Sequence, residues 1–389
     1  MRSTIARRPT RLLRTRARQA GVSMIELMVG VVIGLIATAV ILQTFSVSEG
    51  YKRNTTSAGD AQQNGLFSTF TLSLELANAG NALATSGIDL ATCPNTGDIA
   101  TTLRPIPVVV TDSGDDNTPD SFVVHYSASN TLVYPALLLA NTPKGGTAFT
   151  VQSPNGFRVG DMMVAISETG QCEWEKVTNV TQPDASGSVI VTVSTPTQQA
   201  YSQSATVLPM GSWDRVQRVR YDVVDANGGG ACTTNSTNCA LRSTNLNPPA
   251  PGAVANDPPQ PLAANIVNMK VQYGVDTTGD GILDTWVSAA NQPWRPQDIL
   301  GATLPALNQV KAIRIGLIVR SQQYERDLVA AMPPKGEFNW VLFDCETHDN
   351  TCPGRLTGTI KPDATNGGYR YRVYETVVPL RNQLWNRQL

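Results

Sequence analysis

The sequence predicts an α+β protein, with one long N-terminal helix packed on an elaborated antiparallel β-rich globular domain. Two observations carry this prediction. An apolar run near the N terminus continues in a helix-compatible pattern to residue 80, and short β-patterned segments fill the rest of the 389 residues. A composition of 41% hydrophobic and 16% charged residues is that of a folded chain. The length suits one large domain or two smaller ones.

The first 21 residues carry a strongly basic charge. They hold seven arginines and no acidic residue. Removing these seven from the 30 basic residues leaves 23 against 31 acidic ones, a net charge of −8. The positive-inside rule keeps the basic end in the cytoplasm and places the rest beyond the inner membrane. Because the remainder is acidic, we expect no direct nucleic-acid binding.

The segment from Val22 to Leu42 is apolar and holds one charge, Glu26. As a helix it would span about 31 Å, enough to cross a bilayer. A carboxylate in a membrane helix costs roughly 2.5 to 3.5 kcal/mol at mid-bilayer, so it usually marks function. The alternative is that Glu26 reaches the interface at the helix start, where the helix dipole favours an acid.

Gly21, four residues, Glu26 and an unbroken apolar run resemble the class III leader of type IV prepilins. The resemblance implies that a prepilin peptidase removes residues 1–21 by cleaving after Gly21. It also implies that Val22 becomes the N-methylated terminus and that Glu26 serves assembly. Val22 replaces the usual Phe, and Gln43 stands where many major pilins carry Pro. Both departures fit a minor pilin better than a major one.

The helix is expected to have two parts. Residues 22–50 form the transmembrane and assembly helix, and residues 51–80 form its amphipathic continuation. Leu66, Phe70 and Leu74 recur at four-residue spacing, which predicts an apolar face that packs on a sheet. Gly80 supplies the C-terminal stop.

The rest of the chain reads as strands in two regions, 81–244 and 263–389, separated by a proline-rich loop over 245–262 that holds six prolines. The patterns predict strands at Phe122 to Tyr126, Met162 to Ile166, Val189 to Val193, Val216 to Val224, Val267 to Val275, Ile313 to Val319 and Tyr369 to Leu380.

Three segments, VQYGVDTTGDG, KAIRIGLIVRS and VPLRN, are similar to the PilW family of minor pilins. The resemblance covers the N-terminal 80 residues and the last third. It implies a minor pilin of a tip or priming complex that initiates pilus assembly and supports adhesion, twitching motility or DNA uptake. The implied partners are the prepilin peptidase, other minor pilins, the major pilin, a tip adhesin and the inner-membrane assembly platform. The chain would reside in the inner membrane before assembly and on the pilus at the cell surface afterwards.

Two other functions remain open. A minor pseudopilin of a type II secretion system shares the leader and helix but usually has a smaller globular domain. A conventionally secreted binding protein or enzyme is supported by Ala37-Thr38-Ala39, which fits a signal-peptidase site before Val40. The only histidines are His125 and His348, and no P-loop, nucleophile elbow or zinc-protease motif occurs, so we predict that the chain is not an enzyme.

Six cysteines suggest disulfides in an oxidising compartment. Two close pairs enclose six residues each, Cys232 with Cys239 and Cys345 with Cys352, and Cys93 with Cys172 is the third candidate pair. The alternative is a zinc site at Cys345, His348 and Cys352, for which a fourth ligand is missing.

One acidic loop is a candidate calcium site. Asp276, Thr278, Asp280 and Asp284 fall at positions one, three, five and nine of an EF-hand-like loop, with Gly281 at six, but Val287 replaces the glutamate of position twelve. The alternative is a polar turn between strands. A second acidic loop, at Asp112, Asp115, Asp116 and Asp120, is interpreted as a solvated turn.

Overall fold

The computed structural model forms two compact units, Met1–Thr55 and Thr56–Leu389. It describes residues 21–81, 106–127, 135–169, 171–212, 216–227, 229–233, 236, 238–246, 258–301, 304–324, 337–346, 348, 351–360 and 369–384.

The N-terminal helix α1 (Met24–Asn78) is 55 residues long. At its N-terminal end, Leu27 N–H donates to the carbonyl of Ser23 at 3.1 Å, the i to i−4 bond of an α-helix. The chain leaves the helix at Gly80, whose φ of 75° is the left-handed conformation that commonly ends helices. The predicted stop at Gly80 is therefore confirmed.

Seventeen strands and three short helices follow α1 in the described residues. The strands are β1 (Val108–Thr111), β2 (Ser121–Ser127), β3 (Ala136–Leu137), β4 (Ala148–Val151), β5 (Asp161–Ile166), β6 (Cys172–Val180), β7 (Val189–Val193), β8 (Thr206–Ser212), β9 (Val216–Asp225), β10 (Cys239–Asn245), β11 (Gln260–Ala264), β12 (Ile266–Val275), β13 (Thr285–Ser288), β14 (Val310–Arg320), β15 (Phe338–Leu342), β16 (Leu356–Ile360) and β17 (Tyr371–Pro379). The helices are α2 (Pro296–Gly301), α3 (Leu304–Leu307) and α4 (Arg381–Leu384).

Two antiparallel sheets share the main core with the second half of α1. One has the order β1-β2-β9-β10-β11 and the other the order β13-β12-β14-β17. The central strand β12 is buried along its whole length, and β14 is buried except at Lys311. Leu72 and Leu76 of α1 contribute to this core, where both are 0% exposed. The expected helix on an antiparallel β-rich domain is confirmed.

Strands β3 to β8 form a closed barrel inserted between β2 and β9. The strand order is β3-β8-β5-β6-β7-β4, and an antiparallel bridge between Leu138 and Val151 joins the two ends of that sheet. The barrel has its own core, separate from the main one, with Phe149, Met163 and Val191 at its centre. The short strand β3 pairs with β8 only at Thr206 and Val207, so the barrel is closed over a short length of its strands.

The hairpin β15–β16 covers the middle of β14. Gly316 lies under Leu342, so closely that a Cβ added at Gly316 would be 2.5 Å from Leu342 Cδ2. A glycine in a buried strand thus permits close approach of the hairpin. Each of the seven predicted strands coincides with an observed one, within three residues at either end.

Candidate assembly helix

The residues that resemble a prepilin cleavage site lie at the very start of the helix. Gly21 and Val22 precede α1, and Glu26 lies in its first turn. All three are exposed, and no atom beyond the chain neighbours of Gly21 would come within 4 Å of a Cβ there. Among the described residues of this unit, none lies close enough to Gly21 to hinder a peptidase at this peptide bond.

The apolar part of α1 is long and apolar enough to cross a membrane, and none of its best window is buried within the molecule. The hydroxyl of Thr38 donates to the carbonyl of Gly34 at 2.8 Å, and that of Thr44 donates to Val40 at 2.8 Å. These polar groups are satisfied inside the helix, so the surface offered to lipid or to another helix is apolar.

In the second half of α1, a row of mainly small residues faces the protein's own sheets. The buried residues of the row are Ser57, Ala61, Gly65, Ser68, Leu72, Leu76 and Ala79. A Cβ at Gly65 would lie 2.3 Å from the ring of Tyr374 in β17. The small side chains therefore let the helix backbone approach β17 closely.

Four large apolar residues of this half face outward. Leu66 is 54% exposed, Phe70 67% and Leu74 51%, and Phe67 beside them is 49% exposed. The prediction that Leu66, Phe70 and Leu74 pack on the sheet was wrong. The ring of Tyr374 leaves room only for a residue as small as Gly65 on the inner face there, and the four large residues form an exposed apolar row on the opposite side.

Hydrogen bonds hold α1 against the rest of the unit at two positions along its length. Asn64 Nδ2 donates to the carbonyl of Ala264 at 3.1 Å, and Asn382 Nδ2 donates to that of Ala79 at 2.9 Å. The second bond satisfies a carbonyl at the C-terminal end of α1, where no intrahelical donor remains. These contacts hold the exposed row in a fixed orientation.

Glu75 joins α1 to the five-stranded sheet. The hydroxyl of Tyr126 donates to Glu75 Oε2 at 2.6 Å. Burial, and then the hydrogen bond to Glu75, raise the pKa of Tyr126, while burial and the charge of Glu75 raise that of Tyr221. Both phenols are thus held protonated, as donors must be.

Both predicted close disulfides are present. Cys232 is bonded to Cys239 with 5.7 Å between Cα atoms, and Cys345 to Cys352 with 5.6 Å. The bond at Cys345 and Cys352 removes the thiolates that the zinc alternative requires. Cys172 is also disulfide-bonded, whereas Cys93 lies outside the described residues.

Each close disulfide loop is fixed to β14 by a buried arginine. Arg314 donates to the carbonyl of Pro353 at 2.7 Å and to Gln272 Oε1, and it lies between the rings of Trp286 and Phe343. Burial lowers the pKa of Arg314 to about 10, while the charge of Glu375 opposes the shift.

At the other end of β14, Arg320 donates to the carbonyl of Ser236 at 3.0 Å, inside the loop closed by Cys232 and Cys239. The ring of Tyr369 lies 4.3 Å from the guanidinium carbon of Arg320.

The candidate calcium loop is closed by its own amides. Asp276 accepts from the N–H groups of Gly279 and Gly281 at 2.6 and 2.7 Å, and Asp284 accepts from Thr277 N–H at 2.7 Å. Lys311 Nζ lies 3.5 Å from Asp276 Oδ2. The described residues contain no group of three His, Cys, Asp or Glu side chains that could hold a metal ion. In this conformation the donor set does not converge on a cation.

The second acidic loop contains a buried ion pair. Lys270 Nζ lies 2.9 Å from Asp120 Oδ1, and the two side chains are each 2% exposed. Lys270 also donates to Ser113 Oγ and to the carbonyl of Asp115, which satisfies all three of its protons. The interpretation as a solvated turn was wrong at Asp120, because this loop covers β12 and pairs with its lysine.

Two family models match the chain. The prokaryotic N-terminal methylation motif matches residues 16–42, and the type IV pilus-assembly protein W family matches residues 223–382. Among solved structures, a type IV-like pilin from Thermus thermophilus is matched at 13% identity and a TM-score of 0.23, over 59% of this chain and 88% of that one. No curated protein matches the chain.

The N-terminal methylation motif and a helix long and apolar enough to cross a membrane make the N-terminal part of the chain similar to prepilins. The C-terminal region is similar to the type IV pilus-assembly protein W family, so the resemblance to PilW-like minor pilins is confirmed. The leader and the apolar helix fit a protein anchored in a membrane and then carried into a pilus.

Sequence reasoning missed Lys270, Gln272 and Arg314. They alternate with the apolar residues of β12 and β14, a pattern that normally marks a solvent-facing side. Here the loop before β2 covers Lys270, and the residues that follow Cys352 cover the other two. The sequence feature that could have identified these residues was a lysine and an arginine within strands that are otherwise apolar.

Proposed function

We propose that this chain is a minor pilin that joins a tip or priming complex and initiates type IV pilus assembly. The complex would support adhesion, twitching motility or DNA uptake. The role is structural and not catalytic, and the partners are the prepilin peptidase, other minor pilins, the major pilin, a tip adhesin and the inner-membrane assembly platform.

The exposed apolar row of α1 is the observation that carries the proposal. Leu66, Phe67, Phe70 and Leu74 are each about half exposed or more, on a helix whose opposite side is fixed to the protein. Contiguous apolar surface of this kind marks an interaction site. An apolar helix face is covered most fully by another helix, and the apolar helix of a further pilin has that character.

Glu26 would fix how neighbouring subunits are aligned along the same contact. After cleavage the new amino group lies at Val22, about 6 Å or one helical turn from Glu26. Within a lipid-like environment, a carboxylate and an ammonium of neighbouring subunits would neutralise each other. Such a buried pair adds little stability but penalises every alignment in which the two charges do not meet.

The experiment tests the exposed row against a matched surface position. Phe70→Gln should leave folding intact, because Phe70 is 67% exposed, but should abolish co-purification with other minor pilins. Val159 is 65% exposed and lies in the barrel, so Val159→Gln is the control and should assemble normally. If Phe70→Gln assembles as well as Val159→Gln, the proposal fails.

The pseudopilin alternative predicts a different phenotype. A cell that lacks this chain would then keep its surface pili and lose export through a type II secretion system. We expect the opposite, a loss of pili with export intact. Counting surface pili and measuring an exported enzyme in the same deletion strain separates the two roles.

A further inference from the structure

Lys270 and Asp120 form a pair that is almost completely shielded from water. Lys270 lies in the middle of β12, and Asp120 immediately precedes β2. Lys270 Nζ lies 2.9 Å from Asp120 Oδ1, and each side chain is 2% exposed. Burial raises the pKa of Asp120, while the charge of Lys270 opposes the shift. A proton that moves from the ammonium to the carboxylate removes both charges from this dry site and leaves an amine beside a carboxylic acid.

The carboxyl group of Asp120 is held by backbone donors on both oxygens. Val271 N–H donates to Oδ2 at 3.0 Å, and Ser113 N–H donates to Oδ1 at 3.0 Å. Such donors stabilise the negative charge that develops on oxygen when a nucleophile adds to a carboxyl carbon. Given the 2.9 Å between Nζ and Oδ1 and a C–O bond of about 1.2 Å, Nζ lies no more than about 4.1 Å from Asp120 Cγ. Atoms poised to react are about 3 to 3.5 Å apart, so a small movement brings the amine into range.

The hydroxyl of Ser113 lies between the two groups. Lys270 Nζ donates to Ser113 Oγ at 3.1 Å, and Ser113 Oγ donates to Asp120 Oδ1 at 3.2 Å. A proton can therefore pass from nitrogen to Oδ1 through this hydroxyl as well as directly. The carbonyl of Asp115, which is 2.7 Å from Nζ, can accept the one proton that an amide nitrogen keeps.

We propose that Lys270 and Asp120 join in an amide bond between Nζ and Cγ, formed by the folded chain itself. The nitrogen adds to Cγ to make the new C–N bond, while Val271 N–H stabilises the negative charge on Oδ2. The bond from Cγ to Oδ1 then breaks, and its electron pair leaves with the oxygen. Oδ1 takes two of the three ammonium protons and departs as water. One N–H stays on the amide, so atoms and charge balance with no added reactant.

The amide would link two sheets of the main core. Its ends are 150 residues apart in sequence. One end lies in the loop that joins β1 to β2 of the five-stranded sheet, and the other in the central strand β12 of the four-stranded sheet. A covalent link at this point keeps the loop on β12 when the chain is pulled. This benefit in a fibre rests on the proposed function, whereas formation of the bond does not.

The test is peptide mapping of the full chain, purified from membranes, after its disulfides are reduced and alkylated. Trypsin does not cleave after a lysine whose amine is acylated. The Lys270 segment should therefore be recovered only in linkage to the Asp120 segment, at the summed mass of the two minus one water. Lys311 is the internal control, because it pairs with Asp276 at 3.5 Å but is 17% exposed, and trypsin should cleave after it. Recovery of unlinked Lys270 peptides at full mass would overturn the proposal, whether or not the chain assembles into pili.

Two variants distinguish an amide from an ion pair. Lys270→Arg keeps a cation but has no amine, so its reduced chain should migrate more slowly in a denaturing gel than wild type, which retains a closed loop. This comparison does not require the variant to fold, and equal migration would overturn the proposal. Ser113→Ala keeps Lys270 and Asp120 but lacks the hydroxyl, so it should contain more unlinked chain than wild type. Complete linkage in Ser113→Ala would overturn the role given to Ser113.

Discussion

Two substitutions two residues apart on α1 test which face of the helix anchors it. Leu72 is 0% exposed and Phe70 is 67% exposed. Leu72→Ala removes a fully buried side chain and leaves a cavity, at a cost of about 2 to 5 kcal/mol. Phe70→Ala loses only the buried third of its ring, at a cost of no more than about 1 kcal/mol. Both changes replace a larger residue by Ala, so helix propensity shifts in the same direction.

The assay is urea unfolding of the unit Thr56–Leu389, produced without the residues before it. Unfolding is followed by circular dichroism, and the slope against denaturant should be unchanged in both variants. The reasoning predicts a lower midpoint for Leu72→Ala and a midpoint close to wild type for Phe70→Ala. Equal losses, or a larger loss for Phe70→Ala, would refute the orientation of α1.

Three other predictions concern charge. Glu26→Gln keeps shape and hydrogen bonding but deletes the charge, so the variant should be cleaved and folded yet fail to co-purify with other minor pilins; normal assembly would leave Glu26 as an interface residue. Burial, with Arg218 adding to it, lowers the pKa of His125 to about 4, below the 6.5 of the unfolded chain. Because the unfolded chain binds the proton first, the free energy of unfolding is highest above pH 6.5 and falls by about 3 kcal/mol as the pH drops to 4. His125→Asn should flatten this part of the plot of unfolding free energy against pH. An unchanged plot counts against burial of a neutral imidazole. Calcium at the 276–284 loop, at 100 times its dissociation constant, would add about 2.7 kcal/mol; calorimetry with and without a chelator measures this, and an unchanged melting temperature leaves the loop a plain turn.

Local sequence patterns predicted the structure correctly where a segment has a single packing partner. Val189 to Val193 was predicted from a short β-rich run between turn residues and is β7, and the methylation motif was visible in Gly21, Glu26 and the apolar run. The disulfides followed from equal cysteine spacings, because loops this short leave few other partners within reach.

Patterns failed where a segment meets two partners. The second half of α1 has a small-residue row and a large-residue row, and periodicity alone cannot say which one faces the protein's own sheet. The answer depends on Tyr374, which lies against Gly65 from more than 300 residues away in sequence. Closure of the barrel likewise depends on a bridge between Leu138 and Val151, which no local rule predicts.

The most direct test of the account is the N terminus of the mature protein. Mass spectrometry of protein purified from sheared pili should find an N-methylated Val22, because Gly21 is exposed and precedes the methylation motif helix. Gly21→Leu should leave the full precursor in the inner membrane. A mature protein that begins at Val40 would contradict the account, since signal-peptidase cleavage there would discard Glu26 and the membrane-spanning part of α1.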